Sequence, residues 1–215
     1  LDKRVGHPVR WFGWLVSRTE RLANRESFGR TARIVLGGMT SIALILTATC
    51  AGAAAHALAP EGWAGYLLQS VIAASLIASR SLHDHVAAVA HAFSQDGLPA
   101  ARAALSMIVG RDTQSLDEHG IARAAIESLA ENTSDGVTAP LFWGGLFGLP
   151  GLFAYKAINT LDSMIGHRSP QFEAYGKVAA RLDDLANLVP ARLTGLLFGL
   201  VSWSQTSIAV MLRDA

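Results

Sequence analysis

Charged side chains are scarce in this sequence of 215 residues: Asp, Glu, Lys and Arg make up 16% of it, against about 25% in soluble domains. Because 51% of the residues are hydrophobic, the chain can bury enough apolar surface to fold, which excludes a disordered protein. The one cysteine, Cys50, excludes a disulfide-stapled scaffold. A net charge of +1 without an isolated basic block argues against a nucleic-acid-binding protein.

Two sequence signals are also missing. There is no Walker loop, so a nucleotide would not be held in the P-loop manner. The first residues contain no short apolar stretch with a small-residue cleavage site, so no secretory signal is predicted. These absences leave a choice between an unusually apolar soluble helical protein and a polytopic membrane protein.

Four runs of the sequence contain no Asp, Glu, Lys or Arg: residues 34–60, 62–79, 136–155 and 193–212. Each is about 18 residues or longer, the length that a bilayer-spanning helix needs. The runs are apolar all round, and their glycine and alanine content suits close helix packing in lipid. We therefore predict an all-α polytopic membrane protein, with residues 1–215 as a single membrane-embedded domain. It would have about four hydrophobic segments and helical polar segments at the cytoplasmic face.

Basic residues before the first run predict its orientation. They are Lys3, Arg4, Arg10, Arg18, Arg21, Arg25, Arg30 and Arg33, against the acids Asp2, Glu20 and Glu26. An excess of Lys and Arg stays in the cytoplasm. The first two runs then form a hairpin that turns outside at residues 60–62, and residues 80–135 return to the cytoplasm.

The third run is rich in residues that weaken a helix: Gly144, Gly145, Gly148, Pro150 and Gly151 lie near its middle. The basic residues of the following segment, 156–192, also favour the cytoplasmic side. Both observations fit a re-entrant hairpin that lines a site, because irregular backbone at membrane depth survives only where protein or a water-filled cavity covers it. A kinked ordinary span fits them as well, and both interpretations stay open.

A first polar cluster precedes the third run. Ser115 and Glu118 have capping-box spacing and predict the start of a helix. The cluster on that helix consists of Glu127, Glu131, Asn132 and Asp135. Dense oxygen ligands of this kind suit Mg²⁺ that is shared with substrate phosphates. An acidic solvated face is the alternative, but the cluster runs directly into an apolar segment, where charge is costly and usually functional.

Two more polar clusters lie close to the ends of apolar runs, and each contains basic residues. One consists of Lys156, Asn159, Asp162 and Ser163 on a single helical face, and the other of Arg181, Asp183, Asp184, Asn187 and Arg192. Arg111, in a turn between two predicted helices, could clamp a phosphate or carboxylate with its planar fork. Such clusters fit an enzyme that handles a phosphorylated substrate with Mg²⁺, because phosphoryl transfer needs charge neutralisation and positioning.

Several long strings occur in an order that resembles the CobD/CbiB family. They are HPVRWFG (7–13), SLHDHV (81–86), IVGRDTQSLDEHGIARAAIESLAENTSDGVTAPLFW (108–143), YKAINTLDSMIG (155–166) and ARLDDLANLVPARLTG (180–195). The resemblance implies an integral membrane adenosylcobinamide-phosphate synthase of cobalamin biosynthesis. Such an enzyme uses ATP to join a propionate carboxylate of adenosylcobyric acid to the amine of aminopropanol or its O-phosphate.

The resemblance also implies a setting and a set of partners. We expect a multi-pass protein of the bacterial inner membrane whose active site faces the cytoplasm. Its partners would be membrane lipid, the corrinoid, the amino-alcohol phosphate and other membrane proteins of cobalamin assembly, with no nucleic acid. Family members run further at both ends, with an apolar segment and an acidic GDP-like string before the HPV motif. Only six residues precede that motif here, so we expect a shortened form of a longer chain.

The residues and the resemblance together predict an ATP- and Mg²⁺-dependent site. The predicted catalytic residues are Glu127, Glu131, Asp135 and Asp162, and the predicted metal ligands are Glu131, Asp135, Asp183 and Asp184. The predicted substrate and phosphate ligands are His7, Arg80, His83, Arg111, Asp112, Asn132, Lys156, Asn159, Arg181, Asn187 and Arg192. Two rival hypotheses stay open. One is another Mg²⁺-dependent membrane transferase acting on a phosphorylated substrate, and the other is a non-catalytic membrane regulator.

Overall fold

The computed structural model describes residues 8–77, 87–109 and 112–213, with side chains for all of these except 8, 9, 94, 96 and 202–213. All regular secondary structure in the described residues is helical, as predicted. The helices are α1 (Pro8–Ala23), α2 (Arg30–Ala57), α3 (Trp63–Leu76), α4 (Leu98–Ser106), α5 (Glu118–Thr133), α6 (Ala139–Leu161), α7 (Lys177–Ala186) and α8 (Leu188–Arg213). Three short π-helical turns accompany them: Ala92–Asp96, Ser134–Thr138 and Asp162–Gly166.

By length and composition, two helical stretches in the described residues are long and apolar enough to cross a membrane: α2 and the stretch Glu118–Gly166, which is interrupted at Gly148. A third candidate arises if α7 and the first part of α8 form one bent span. The second predicted segment is shorter than expected, because α3 has 14 residues and a helix of that length covers only about 21 Å of a bilayer core of about 30 Å. The structure thus supports two or three spans, and the predicted cytoplasmic orientation stays a prediction.

The outer surface of α2 has the character of a lipid-facing surface. Val35, Met39, Ile42 and Leu46 are each more than half exposed. Their spacing of three or four residues places them on one side of the helix. A continuous exposed stripe of large apolar residues is unfavourable in water, so this side of α2 is suited to contact with lipid.

The chain forms two compact units. The first consists of Leu1–Leu76 and Pro140–Leu188, and its core is built from Val16, Leu44, Leu161, Ile165, Tyr175 and Ala179. The second consists of Ile77–Ala139 and Val189–Ala215, and its core is built from Val89, Ala101, Leu105, Ile121 and Ala124. The prediction of a single membrane domain stays a prediction.

In the first unit, the backbone of α2 at Gly37 lies in direct contact with the backbone at Tyr175, two residues before α7. Gly37 is buried, and a Cβ atom added there would meet the carbonyl group of Tyr175. The Tyr175 side chain is fully buried in the core of this unit. Burial raises the pKa of the Tyr175 phenol, so its uncharged form is favoured in the core.

The glycine- and proline-rich third run is interrupted as its sequence predicts. Gly148 in α6 has φ 64° and ψ −153°, a left-handed conformation that glycine adopts without strain. Pro150 follows two residues later, inside the same helix. The next turn packs closely on α2, because a Cβ atom at Gly52 would lie 2.7 Å from the carbonyl oxygen of Leu149. The interruption is confirmed, and the chain turns back at it: a Cβ atom at Gly151 would meet the carbonyl oxygen of Trp143, eight residues earlier, which an unbroken α-helix keeps two turns away. The path of this segment relative to the membrane stays a prediction.

In the second unit, α4 begins with a proline in its first turn and α5 begins after an aspartate N-cap. Pro99 lies in the first turn of α4, where its missing N–H costs nothing. The capping box predicted at Ser115 is wrong. Asp117 is the N-cap of α5, and its Oδ1 atom accepts a hydrogen bond of 2.7 Å from the Gly120 N–H. An Asp carboxylate directly before the helix satisfies the same free N–H groups as a Ser hydroxyl, with a full negative charge.

Replacing Gly37 with alanine should destabilise the first unit. A new Cβ would meet backbone atoms, which cannot move aside as cheaply as a side chain, so we expect a loss of about 1–3 kcal/mol. Gly145→Ala is the matched control in α6, because no described atom outside its own helix backbone lies near the new Cβ and alanine favours a helix. Thermal unfolding in detergent measures both. Equal melting temperatures for the two variants would contradict the close approach.

Candidate active site

The predicted site residues fall into three groups. His7, Arg80, His83 and Arg111 lie outside the described residues. The first unit contains Lys156, Asn159, Asp162, Arg181, Asp183, Asp184 and Asn187. The second unit contains Asp112, Glu127, Glu131, Asn132, Asp135 and Arg192.

In the first unit, a hydrogen-bonded cluster joins α6 to the end of α7. The buried Tyr155 phenol donates a hydrogen bond of 2.9 Å to Asn187 Oδ1, and Asn187 Nδ2 donates one of 3.0 Å to Asp183 Oδ2. Asn187 ends α7, and its backbone N–H donates to the carbonyl oxygen of Asp183. We call Asn159, Asp162, Asp183 and Asn187 the carboxylate–amide cluster. It holds one carboxylate in a fixed orientation.

The second oxygen of Asp183 gives the cluster its chemical character. Among the described residues, Asp183 Oδ1 is buried and has no hydrogen-bond partner. The negative charge of Asp162 acts on this same carboxylate, and the amide of Asn159 faces it. A buried acceptor beside a second negative charge is costly unless a cation or a proton compensates. The arrangement fits a cation such as Mg²⁺, which proteins bind through one or two carboxylates plus substrate phosphates.

Asp183 and Asp184 are neighbours in the sequence but lie in different surroundings. Asp184 is exposed, and its Oδ2 atom pairs with Arg181 Nη1 at 3.4 Å. Consecutive helical residues are rotated by about 100°, so only Asp183 takes part in the carboxylate–amide cluster. Within the described residues there is no group of three or more His, Cys, Asp or Glu side chains that could hold a metal ion by itself. A metal bound at Asp183 would therefore need oxygen ligands from a substrate.

Two apolar cavities lie in the first unit. One, of about 210 Å³, has Lys156 in its wall together with Phe12 and Phe153. The other, of about 500 Å³, is lined by Trp143 and Tyr155 among others. The Trp143 indole N–H donates 3.0 Å to the carbonyl oxygen of Ala186. Sequence reasoning missed both aromatic residues, although a Trp or Tyr within an apolar run usually has a polar partner.

In the second unit, the acidic residues follow α5 into a π-helical turn. Glu127 and Glu131 are exposed, whereas Asp135 is partly buried within the turn Ser134–Thr138. Asn132 Nδ2 donates to the carbonyl oxygen of Ser128 at 2.8 Å and to its Oγ at 3.0 Å. The amide N–H₂ of Asn132 is thus used within its own helix. π-Helical turns occur frequently at functional sites, and this one contains a predicted catalytic carboxylate.

Arg102 holds the loop before α5 and was not predicted from the sequence. Its Nε and Nη2 atoms donate to the carbonyl oxygen of Leu116 at 2.9 and 2.7 Å, and its own carbonyl oxygen accepts from Thr113 Oγ1 at 3.0 Å. In the same loop, Asp112 Oδ1 accepts 2.9 Å from the Gln114 N–H. Asp112, a predicted substrate ligand, therefore has a local structural contact.

The long apolar helices and the partly buried carboxylate–amide cluster define a helical membrane protein with polar sites at its helix ends. The family model described as "CobD/Cbib protein" matches residues 2–215. The chain belongs to the CobD/CbiB family, which confirms the resemblance seen in the sequence.

Three curated relatives carry the name cobalamin biosynthesis protein CobD. A relative from Rhodobacter capsulatus is 53% identical over the whole chain, which spans 68% of that relative. Those from Sinorhizobium sp. and Brucella suis biovar 1 are 48% and 46% identical, and the whole chain spans 69% and 68% of them. No solved structure matches the chain.

Removing the hydrogen bonds of Asn187 should reveal coupling within the carboxylate–amide cluster. Asn187→Ala removes one hydrogen bond from Tyr155 and one from Asp183, so it should cost more stability than Tyr155→Phe, which removes one hydroxyl. In a double-mutant cycle we expect a coupling of about 1 kcal/mol. Chemical unfolding in mixed micelles measures it, and strictly additive effects of Tyr155→Phe and Asn187→Ala would show that the hydrogen bond between these two side chains does not stabilise the fold.

Replacing Arg102 should loosen the loop before α5. Arg102→Met removes both hydrogen bonds to Leu116, so we expect amide hydrogen exchange in residues 112–117 to become about tenfold faster. Arg102→Lys should restore protection only in part, because an ammonium lacks the guanidinium fork. Arg123→Met, at an exposed position of α5, is the control. Unchanged exchange in Arg102→Met would contradict the anchoring role.

Proposed function

We propose that this chain is an enzyme of cobalamin biosynthesis that forms an amide bond at the expense of ATP. Its substrates are adenosylcobyric acid and (R)-1-amino-2-propanol or its O-phosphate, and its product is adenosylcobinamide or its phosphate. Membership of the CobD/CbiB family and the relatives' names support the pathway. The observation that carries the chemistry is the buried Asp183 oxygen beside the charge of Asp162.

The reaction requires the corrinoid carboxylate to be activated before the amine can attack it. In the proposed reaction, an oxygen of this carboxylate attacks the terminal phosphorus of ATP, the bond to the bridging oxygen breaks, and ADP leaves. The amine nitrogen then attacks the carbonyl carbon, the C–O bond to phosphate breaks, and the amine proton passes to a protein carboxylate. Mg²⁺, when bound, neutralises phosphate charge, which is the main requirement of phosphoryl transfer.

The first unit provides carboxylates for Mg²⁺ and side chains that position them. Asp162 and Asp183 would hold Mg²⁺, and the hydrogen bond from Asn187 fixes the orientation of Asp183. This orientation depends in turn on the Tyr155 phenol, which makes Tyr155 a positioning residue. Glu127, Glu131 and Asp135 of the second unit remain predicted catalytic carboxylates, and Glu131 is included in the test below.

The setting proposed for this reaction is the bacterial inner membrane, with the active site facing the cytoplasm. The two apolar helical stretches and the lipid-facing stripe of α2 support a membrane location. The basic residues before α2 support the orientation, because Lys and Arg accumulate on the cytoplasmic side. Contact with other membrane proteins of cobalamin assembly belongs to the same proposal.

An amide-forming assay tests the proposal with purified full-length chain in detergent or nanodiscs. Adenosylcobyric acid, Mg²⁺-ATP and aminopropanol or its phosphate should give the corresponding cobinamide and ADP. Asp162→Asn and Glu131→Gln should each lower the rate at least about 100-fold, because each removes a charge that acts in the transition state. Glu61→Gln, in the exposed turn between α2 and α3, is the matched control.

Three outcomes would count against different parts of the proposal. Full activity of both acidic variants would refute the site assignment. Absence of ATP-dependent amide formation in the wild type would refute the reaction. A transfer product without an amide bond would favour another Mg²⁺-dependent transferase instead.

A further inference from the structure

A polar cleft of about 560 Å³ lies in the first unit, separate from the predicted set of phosphate ligands except for Arg181. We call it the cationic cleft. Its charged lining residues are Arg30, Arg168, Glu173, Lys177, Arg181 and Asp184. A cleft of this size lies within the range of about 300–1,000 Å³ that small-molecule sites occupy.

Positive charge exceeds negative charge in the cationic cleft. Arg30 pairs with Glu173 at 3.3 Å, and Arg181 pairs with Asp184 at 3.4 Å. In the described part of the chain, Arg168 and Lys177 take part in no ion pair. Four cations and two carboxylates line the cleft, and two of the cations form no ion pair among the described residues, which favours an anionic ligand.

Separate parts of the fold bring these cations together. Arg30 begins α2, Arg168 follows the π-helical turn Asp162–Gly166, and Lys177 begins α7. Lys177, Ala180, Arg181 and Asp184 line the cleft from one face of α7, at i, i+3, i+4 and i+7. Small residues, Gly166 and Ala180 among them, keep the space between the cations open. A single solvated helix face would not show this convergence.

The cationic cleft adjoins the carboxylate–amide cluster. Gly166 lines the cleft, and a Cβ atom added to Gly166 would meet the carboxylate of Asp162. The acidic group that would hold a cation and the basic groups that would hold an anion are thus separated by one glycine. A metal-bound polyphosphate needs this combination, with carboxylates on the metal and Arg or Lys on the phosphates.

We propose that the cationic cleft binds the polyphosphate chain of a nucleoside triphosphate, with Arg168 and Lys177 as its unpaired phosphate ligands. The inference rests on the proposed function, which requires ATP but leaves its location unassigned. A lipid headgroup offers the same phosphate chemistry from a second source. The experiment therefore contains one arm for each source.

Equilibrium binding tests the proposal on the full chain in nanodiscs of neutral phosphatidylcholine, with Mg²⁺-ATP and Mg²⁺-tripolyphosphate as probes. Arg168→Gln and Lys177→Gln should each raise the Kd for both probes about tenfold, since each removes a charge-assisted contact to phosphate. Arg25→Gln, an exposed position before α2 that does not line the cleft, should change the Kd less than twofold. Because Arg168 and Lys177 carry no described ion pair, unchanged melting temperatures are expected for both variants.

A variant that should strengthen binding separates an effect on the ligand from a structural effect. Glu173 is about two-thirds exposed and competes with phosphate for Arg30. Glu173→Gln should therefore lower the Kd for tripolyphosphate two- to fivefold, whereas a destabilised cleft would raise it. The affinity of the wild type should also fall steeply as salt increases, because the contacts are between exposed charges.

The second arm replaces a third of the phosphatidylcholine with phosphatidylglycerol. Unchanged nucleotide affinity in Arg168→Gln and Lys177→Gln overturns the proposal, and so does an effect of these variants confined to phosphatidylglycerol binding. Loss of nucleotide affinity in the variants, together with a wild type that forms no amide, would uphold the cleft and refute the proposed function. If the wild type forms the amide and the variants keep normal nucleotide affinity, the proposed function is upheld and the cleft is refuted.

Discussion

The cost of placing an uncompensated charge in an apolar environment organises this chain. α2 is free of charged residues after Arg33 and presents a stripe of large apolar side chains at its surface. Where a carboxylate is partly buried, as at Asp183, an amide hydrogen-bonds to it and a phenol hydrogen-bonds to that amide. The same cost makes its remaining oxygen a place where a cation is favoured.

Hydropathy predicted where apolar helices occur in the sequence, but not always where they begin and end. The first charge-free run became α2 almost residue for residue, because nothing inside it ends a helix. The second run did not become a helix of full length: α3 begins at Trp63, after Gly62 with its positive φ, and already ends at Leu76. The interruption near Gly148 was predictable because glycine and proline act locally.

The polar clusters could be found in the sequence, but their internal arrangement could not. Asp183 and Asp184 look equivalent in a string of letters, yet one joins the carboxylate–amide cluster and the other pairs with an exposed arginine. The roles of Tyr155 and Arg102 could not be predicted from the sequence, because their hydrogen-bond partners lie 32 and 14 residues away. Contacts of that range depend on how helices pack, which the spacing of residues along one helix does not reveal.

The π-helical turns have a consequence for the phase of the helices around them. A π turn closes its hydrogen bond over one residue more than an α turn, so the helix that follows is rotated by about 100° from its uninterrupted course. Asp162–Gly166 ends α6, because His167 after it has an extended backbone, so the extra residue sets the direction in which the chain leaves the helix beside Gly166, which lines the cationic cleft. The length of this turn is therefore as much a part of the site as the identity of Asp162.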